Sequence, residues 1–332
     1  MITALALLGY AACAAWWVPA LLAPLTRRGV SVRAGLAAWL TAMASVLVSA
    51  VIAIQFSART VAADWPRLTQ ALCRSVAGSA CTPAVYGSVL YQAGVVALAA
   101  ALTLAGVVAA WRYGRRVQRS RAQTRSHARA ALLVGRAQPA AGPAGAVGRA
   151  RTVMLDDPRP AAYCVAGRPA AIVVTSGALA VLDPPQLSAV LAHECAHLAH
   201  GHHALATVTR GLAAAFPGIP LFTRGAAEVV RLTEMAADDT AARTSGRPVL
   251  VTALIAIATG AAVSSTAPSS TGIPGAAVPA GAMAAASRAV PDRVERMLRP
   301  STPARSRAFT AALALAVTLL AAAPPALAFL AR

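Results

Sequence analysis

Four stretches of this chain are apolar over lengths that can cross a bilayer, and nothing else in the sequence constrains its fold as tightly. They run from Ile2 to about Leu25, Gly35 to Phe56, Ser88 to Trp111 and Ala308 to Ala331. Hydrocarbon offers no hydrogen-bond partner to a bare peptide group, so a spanning segment of this kind is a helix. Pro324 and Pro325 kink the last one, which a membrane helix tolerates. The first run has no Arg ahead of it, while Arg27, Arg28 and Arg33 follow it, so it reads as a retained helix and not as a cleaved leader.

Charge then orients the frame. Apolar residues make up 58% of the chain and charged residues 12%, too few charges for an ordinary soluble surface. The net charge is +19, and every positive side chain is Arg, because no Lys occurs. Arg112, Arg115, Arg116, Arg119, Arg121, Arg125 and Arg129 follow the third apolar run directly. The positive-inside rule puts such a block on the cytoplasmic side, beside anionic headgroups of the lipid bilayer, with both termini outside. The Arg are thereby accounted for without nucleic acid, and no nucleic-acid partner is expected. Residues 57–87 are polar and read as a turn-rich extracytoplasmic loop. An exported loop permits a disulfide between its Cys73 and Cys81.

Chemistry concentrates in His193-Glu194-Cys195-Ala196-His197, an H-E-x-x-H pattern. Two His four apart on a helix lie on one face, one turn apart, so both rings reach a single Zn²⁺. Asp183 as N-cap and Pro184-Pro185 in the first turn start such a helix, and Leu187, Val190, Leu191 and Leu198 give it an apolar face. Glu194, between the His, is placed to act as general base on a water. A catalytic zinc takes a third protein ligand and keeps one position open. Glu234 and Asp238, four apart near apolar Leu232 and Met235, supply candidates: Glu234 as the third ligand and Asp238 as the acceptor for the outer nitrogen of a ligand His. Glu228 is the other candidate ligand. His200, His202, His203 and Arg243 are candidates for stabilising charge or supporting the ligands, and the residues alone do not choose among them.

Around this motif, Ala161–Val165 and Ala170–Thr175 are β-prone with a Gly167-Arg168-Pro169 turn between them. They predict a small sheet or hairpin beside the motif helix, whose edge strand could pair with an extended substrate. Ala204–Phe222 is apolar but interrupted, and reads as a membrane-dipping or buried helical segment. Residues 291–298 read as a short amphipathic helix.

Thr175–Leu179, Gln186–Leu198 and Glu234–Asp238 together resemble the BlaR/MecR-type integral-membrane zinc metallopeptidases (metallopeptidase family 56), and more distantly the Ste24/HtpX-type membrane peptidases. The likeness covers about residues 161–250. It implies a gluzincin-like site with ligands at His193, His197 and Glu234, one Zn²⁺ per chain, and a protein or peptide substrate. In the antibiotic-sensing members that substrate side leads to a transcriptional repressor and to signal transduction. The sequence ends a residue or two beyond its last apolar run and has no Lys for a Ser-x-x-Lys site, so no penicillin-binding sensor is expected.

The fold class expected is therefore a mainly α membrane protein, with about four transmembrane helices and a cytoplasmic α+β zincin-like peptidase domain holding a small β-sheet. The parts are a transmembrane pair (1–56), an extracytoplasmic loop (57–87), a third transmembrane helix (88–111), a basic linker with the peptidase domain (112–306) and a C-terminal transmembrane helix (307–332). Two further readings stand beside a signalling protease. One is a quality-control peptidase of the Ste24/HtpX kind, and the other a receptor whose metal is structural, for which Glu194 would have no use.

Overall fold

The computed structural model describes residues 2–27, 31–76, 83–137, 151–166, 170–264, 290–299 and 303–330. Its first part is three long helices: α1 (Ile2–Arg27), α2 (Val32–Val76) and α3 (Pro83–Val134). A short sheet follows, of β1 (Arg136–Ala137), β2 (Arg151–Leu155), β3 (Ala162–Val165) and β4 (Ala171–Thr175). Then come α4 (Ser176–Val181), α5 (Pro184–Ala199), α6 (His202–Ala215), α7 (Pro220–Ser245), α8 (Arg247–Ser264), α9 (290–298) and α10 (Pro303–Leu330).

Among the described residues four helices are long and apolar enough to cross a membrane, within 2–26, 32–63, 93–133 and 307–329. This agrees with the mainly helical membrane fold and small sheet read from the sequence. The turn-rich loop at 57–87 is corrected: α2 runs on to Val76 and α3 begins at Pro83. Polarity there marks a change of surroundings rather than a break: Ala, Leu, Arg and Gln all suit a helix, and α2 carries Pro66 within it. Cys81 lies outside the described residues, as does the side chain of Cys73, so their pairing is not placed. The basic stretch after Trp111 is likewise no loose linker but the continuation of α3, to Val134.

The sheet has strand order β1-β2-β4-β3. The expected pairing of β3 with β4 is antiparallel, Cys164 opposite Ile172, while its Gly167–Pro169 turn lies outside the described residues. β2 runs parallel to β4, Val153 opposite Val173, and was not foreseen. β4 is buried along its whole length because both sheet faces are covered. Ile172 and Val174 pack on Val190 and Leu191 of α5 and Ala253 of α8. Val173 packs on the other side, against Ala128 and Ala131 at the end of α3. A buried β4 reads as a continuous apolar run for that reason.

The other large core joins the membrane helices to the rest. Leu22 of α1, Trp39 and Met43 of α2, Leu313 of α10 and Phe222, Val229 and Leu232 of α7 form one buried cluster. Gly225 of α7 lies so close to Met43 and Trp39 that a Cβ would overlap them, which lets α7 pack directly on α2. Glu228, the alternative ligand, is used here: it pairs with Arg231 at 2.8 Å, and Arg231 donates to the Thr26 carbonyl of α1 at 3.3 Å.

Candidate metal centre

α5 begins on a reciprocal cap. The Asp183 side chain accepts from the Gln186 amide at 2.7 Å, and the Gln186 side chain accepts from the Asp183 amide at 3.2 Å. Such a cap contributes about 1 kcal/mol. The helix closes at His200, and Gly201 with φ +63° turns the chain straight into α6. That left-handed turn suits Gly and brings His202 and His203 back beside His197.

His193, His197 and Glu234 come together. The two Nε2 atoms are 3.1 Å apart, and each lies 3.5 Å from an oxygen of Glu234. A tetrahedral ion with nitrogen ligands at ~2.0–2.1 Å has donor–donor edges of about 3.3 Å. The donor spacing therefore fits one zinc-sized cation. The chemistry fits as well. Two imidazole lone pairs and a carboxylate pointed at one spot repel each other unless a proton or a cation sits among them.

Each ligand His is held through its other nitrogen. His193 Nδ1 is 3.1 Å from Asp238 Oδ1, along a bent approach that falls short of a straight hydrogen bond. Asp238 in turn receives two hydrogen bonds from Arg293 of α9, at 2.6 and 2.8 Å. Both are almost fully buried, so the pair satisfies charges that would be costly alone. Arg293 also stands 3.5 Å from Glu234. His197 Nδ1 is 2.9 Å from His202 Nδ1. Burial, with His197 and His200 beside it, pushes His202 down to about 4, so it is neutral and its Nδ1 can accept a hydrogen bond from His197 Nδ1–H in the tautomer of His197 that a metal ligand needs. That hydrogen bond leaves the His197 Nε2 lone pair facing the cluster.

The electrostatics follow. Burial opposes a charged His193, but the carboxylates of Asp238 and Glu234 outweigh it and raise this histidine to about 9 when only protons compete for the site. Glu234 is half-buried, and the two His hold its carboxyl far below the usual range against the opposing effect of that burial, while Arg293 with His193 lowers Asp238 to about 2.

Glu194 points to the sheet. Its Oε2 accepts from the Cys164 amide of β3 at 2.9 Å. β3 is an edge strand, so an amide not used by β4 is free to orient this carboxylate. The Cys164 thiol lies 3.2 Å from His203 Nε2. Burial, with Glu194 adding to it, drives this thiol pKa upward, and burial drives His203 downward, so a neutral thiol faces a neutral imidazole. His200 is exposed at the end of α5, and Arg243 bonds Thr240 on the exposed side of α7. Sequence reasoning missed Arg293 altogether. It left His202 among four equal candidates.

A model of peptidase family M48 matches residues 127–225. That segment covers the sheet, α5 and α6, includes His193, Glu194 and His197, and ends before Glu234 and Asp238. A curated protein named Protease HtpX homolog, from Acidiphilium cryptum (strain JF-5), is 40% identical over 67 residues, which are 20% of this chain and 23% of that protein. The matched part thus spans less than a quarter of that relative's length. No solved structure matches the chain significantly. With four apolar helices and a three-donor cluster, these findings support a membrane metallopeptidase of the HtpX/Ste24 type. Of the two resemblances drawn from the sequence, this is the one named as more distant.

Proposed function

We propose that this protein is a membrane-embedded zinc-dependent endopeptidase that hydrolyses peptide bonds of protein or peptide substrates. The observation that carries the reading is the convergence of His193, His197 and Glu234 on one point, with Glu194 from the same helical turn fixed beside them. A zinc ion bound there would supply Lewis acidity, polarising a carbonyl and acidifying water. The residues do the rest. His193 and His197 present Nε2 because Asp238 and His202 hold their outer nitrogens. Glu194, oriented by the Cys164 amide, takes the proton from the attacking water and returns it to the departing amine. The edge that β3 turns away from β4 is where an extended substrate backbone pairs.

The peptidase part faces the cytoplasm and both termini lie outside, because the Arg-rich continuation of α3 leads into the sheet. The HtpX-type likeness favours membrane-protein quality control as the role, over the BlaR/MecR-type likeness with its repressor substrate and signal transduction. Neither the site nor the comparisons point to a repressor partner.

The test pairs metal content with cleavage. Wild type and Glu194→Gln, purified in detergent, both bind about one zinc, and only wild type cleaves casein or itself. Folded wild type without metal would overturn the proposal.

A further inference from the structure

The donors of the metal centre come from two helices that are anchored differently. α5, with His193 and His197, packs through Val190 and Leu191 on Ile172 and Val174 of the sheet and on Ala253 of α8. α7, with Glu234 and Asp238, packs through Phe222, Val229, Leu232 and Met235 on Leu22 of α1, Trp39 and Met43 of α2 and Leu313 of α10. The core shared with the membrane helices therefore reaches the residue next to Glu234.

Two glycines set how close α7 comes to α2. A Cβ on Gly225 of α7 would run into the end of the Met43 side chain and lie 3.0 Å from the Trp39 ring. Met43 and Trp39 are 2% and 0% exposed, so neither has free space to move into. A Cβ on Gly35 of α2 would lie 3.3 Å from both end carbons of Leu232. Gly225 meets Met43 near the start of α7 and Leu232 meets Gly35 farther along it, so the two helices run antiparallel and in register over two turns. α7 is one unbroken helix, and a displacement at Gly225 is carried to Glu234. Its far end is held by Ala241, clustered with Ala189 and Ala192 of α5. Glu234 lies about 13 Å of helix from Gly225 and about 10 Å from Ala241. With Ala241 as the pivot, a shift of ~1 Å at Gly225 moves Glu234 by about 0.4 Å. Ligand distances in a metal site hold to within about 0.2 Å.

We propose, resting on the zinc-peptidase reading, that the membrane helices set the affinity of the metal centre through α7. Gly225 is a positioning residue. Its close contact with Met43 and Trp39 holds Glu234 at ligand distance from two histidines that are seated on the sheet. The third ligand is thus placed by a contact some 13 Å of helix away, in the core that α7 shares with α1, α2 and α10. The coupling runs both ways, because an ion that joins α7 to α5 favours the same position of α7 that packs on α2.

Zinc affinity, read by competition with a chelator on folded protein in detergent, tests this without any activity. Gly225→Ala weakens zinc about tenfold, and Gly225→Val weakens it further. Gly35→Ala presses only on the movable ends of Leu232 and weakens zinc less, in the same direction. Met43→Ala added to Gly225→Ala makes room for the new methyl group and restores most of the affinity. Leu7→Ala, in the separate core that Leu7 forms with Ala4 and Ala53, lowers the thermal midpoint and leaves zinc affinity at the wild-type value. A mere loss of stability would weaken zinc in Leu7→Ala as well and would not be repaired by Met43→Ala, and either result would overturn the positioning role. Gly225→Ala and Gly35→Ala proteins that bind zinc as tightly as wild type would overturn it too. Wild type that binds no zinc would overturn the peptidase reading and this proposal with it.

Discussion

The two flanks of the metal centre are built differently. His193 and His197 are one turn apart on the same helix and converge on the same point, yet His193 is backed by a buried ion pair, Asp238 with Arg293, and His197 by a neutral imidazole, His202. The charged flank strengthens its ligand as a base and holds a proton tightly. The neutral flank fixes a tautomer and adds no charge. Helix geometry makes the two ligands equivalent, and the elements packed behind them make them unequal.

The largest effect is expected on the charged flank. Asp238→Asn leaves Arg293 buried without its partner, so it lowers the thermal midpoint strongly, by an amount corresponding to about 3–5 kcal/mol, and weakens zinc about 10–100-fold. Calorimetry and a competing chelator measure the two losses. An Asp238→Asn protein as stable as wild type would remove the asymmetry.

Proton linkage sharpens the comparison further. Without metal His193 stays protonated up to about 9, so zinc binding at pH 7–8 displaces that proton, and affinity rises about tenfold per pH unit until pH passes about 9, above which there is no proton left to displace. Calorimetry in buffers of different ionisation heat counts the proton. Asp238→Asn reduces the count, and His202→Ala leaves it unchanged.

On the neutral flank the effects are smaller. His202→Ala removes the acceptor for His197 and weakens zinc about tenfold, whereas His202→Gln, whose carbonyl can still accept, recovers most of it. Equal loss in both would show that His202 only fills space. The smallest effect lies at the start of α5, remote from both flanks. Asp183→Ala costs about 1 kcal/mol in a denaturation curve and leaves zinc affinity alone.

Legibility differs in the same way between parts of the molecule. The α5 cap, the two His and the β3–β4 pairing follow from neighbours a few residues apart, and each was readable from spacing. The loop expected at 57–87 is largely helical, because a polar stretch changes a helix's surroundings without ending it: α2 continues to Val76 and α3 starts at Pro83. Arg293 was invisible because it lies 55 residues from Asp238, on a short amphipathic helix whose pattern says only that one face is buried. His202 needed the Gly201 turn to be known before its ring could be brought to His197.

By itself, then, the sequence determined what depends on local geometry and transfer to lipid: four apolar helices, a helix bearing His193, Glu194 and His197 on one turn, and an acidic pair at Glu234 and Asp238. Only the tertiary structure decided that Glu234 and not Glu228 meets those His, that an edge-strand amide orients Glu194, and that Arg293 and His202 stand behind the ligands. Those contacts join segments far apart in the chain. They are set by how α7 packs on α2 and α5, and that packing leaves no periodic trace in the order of residues.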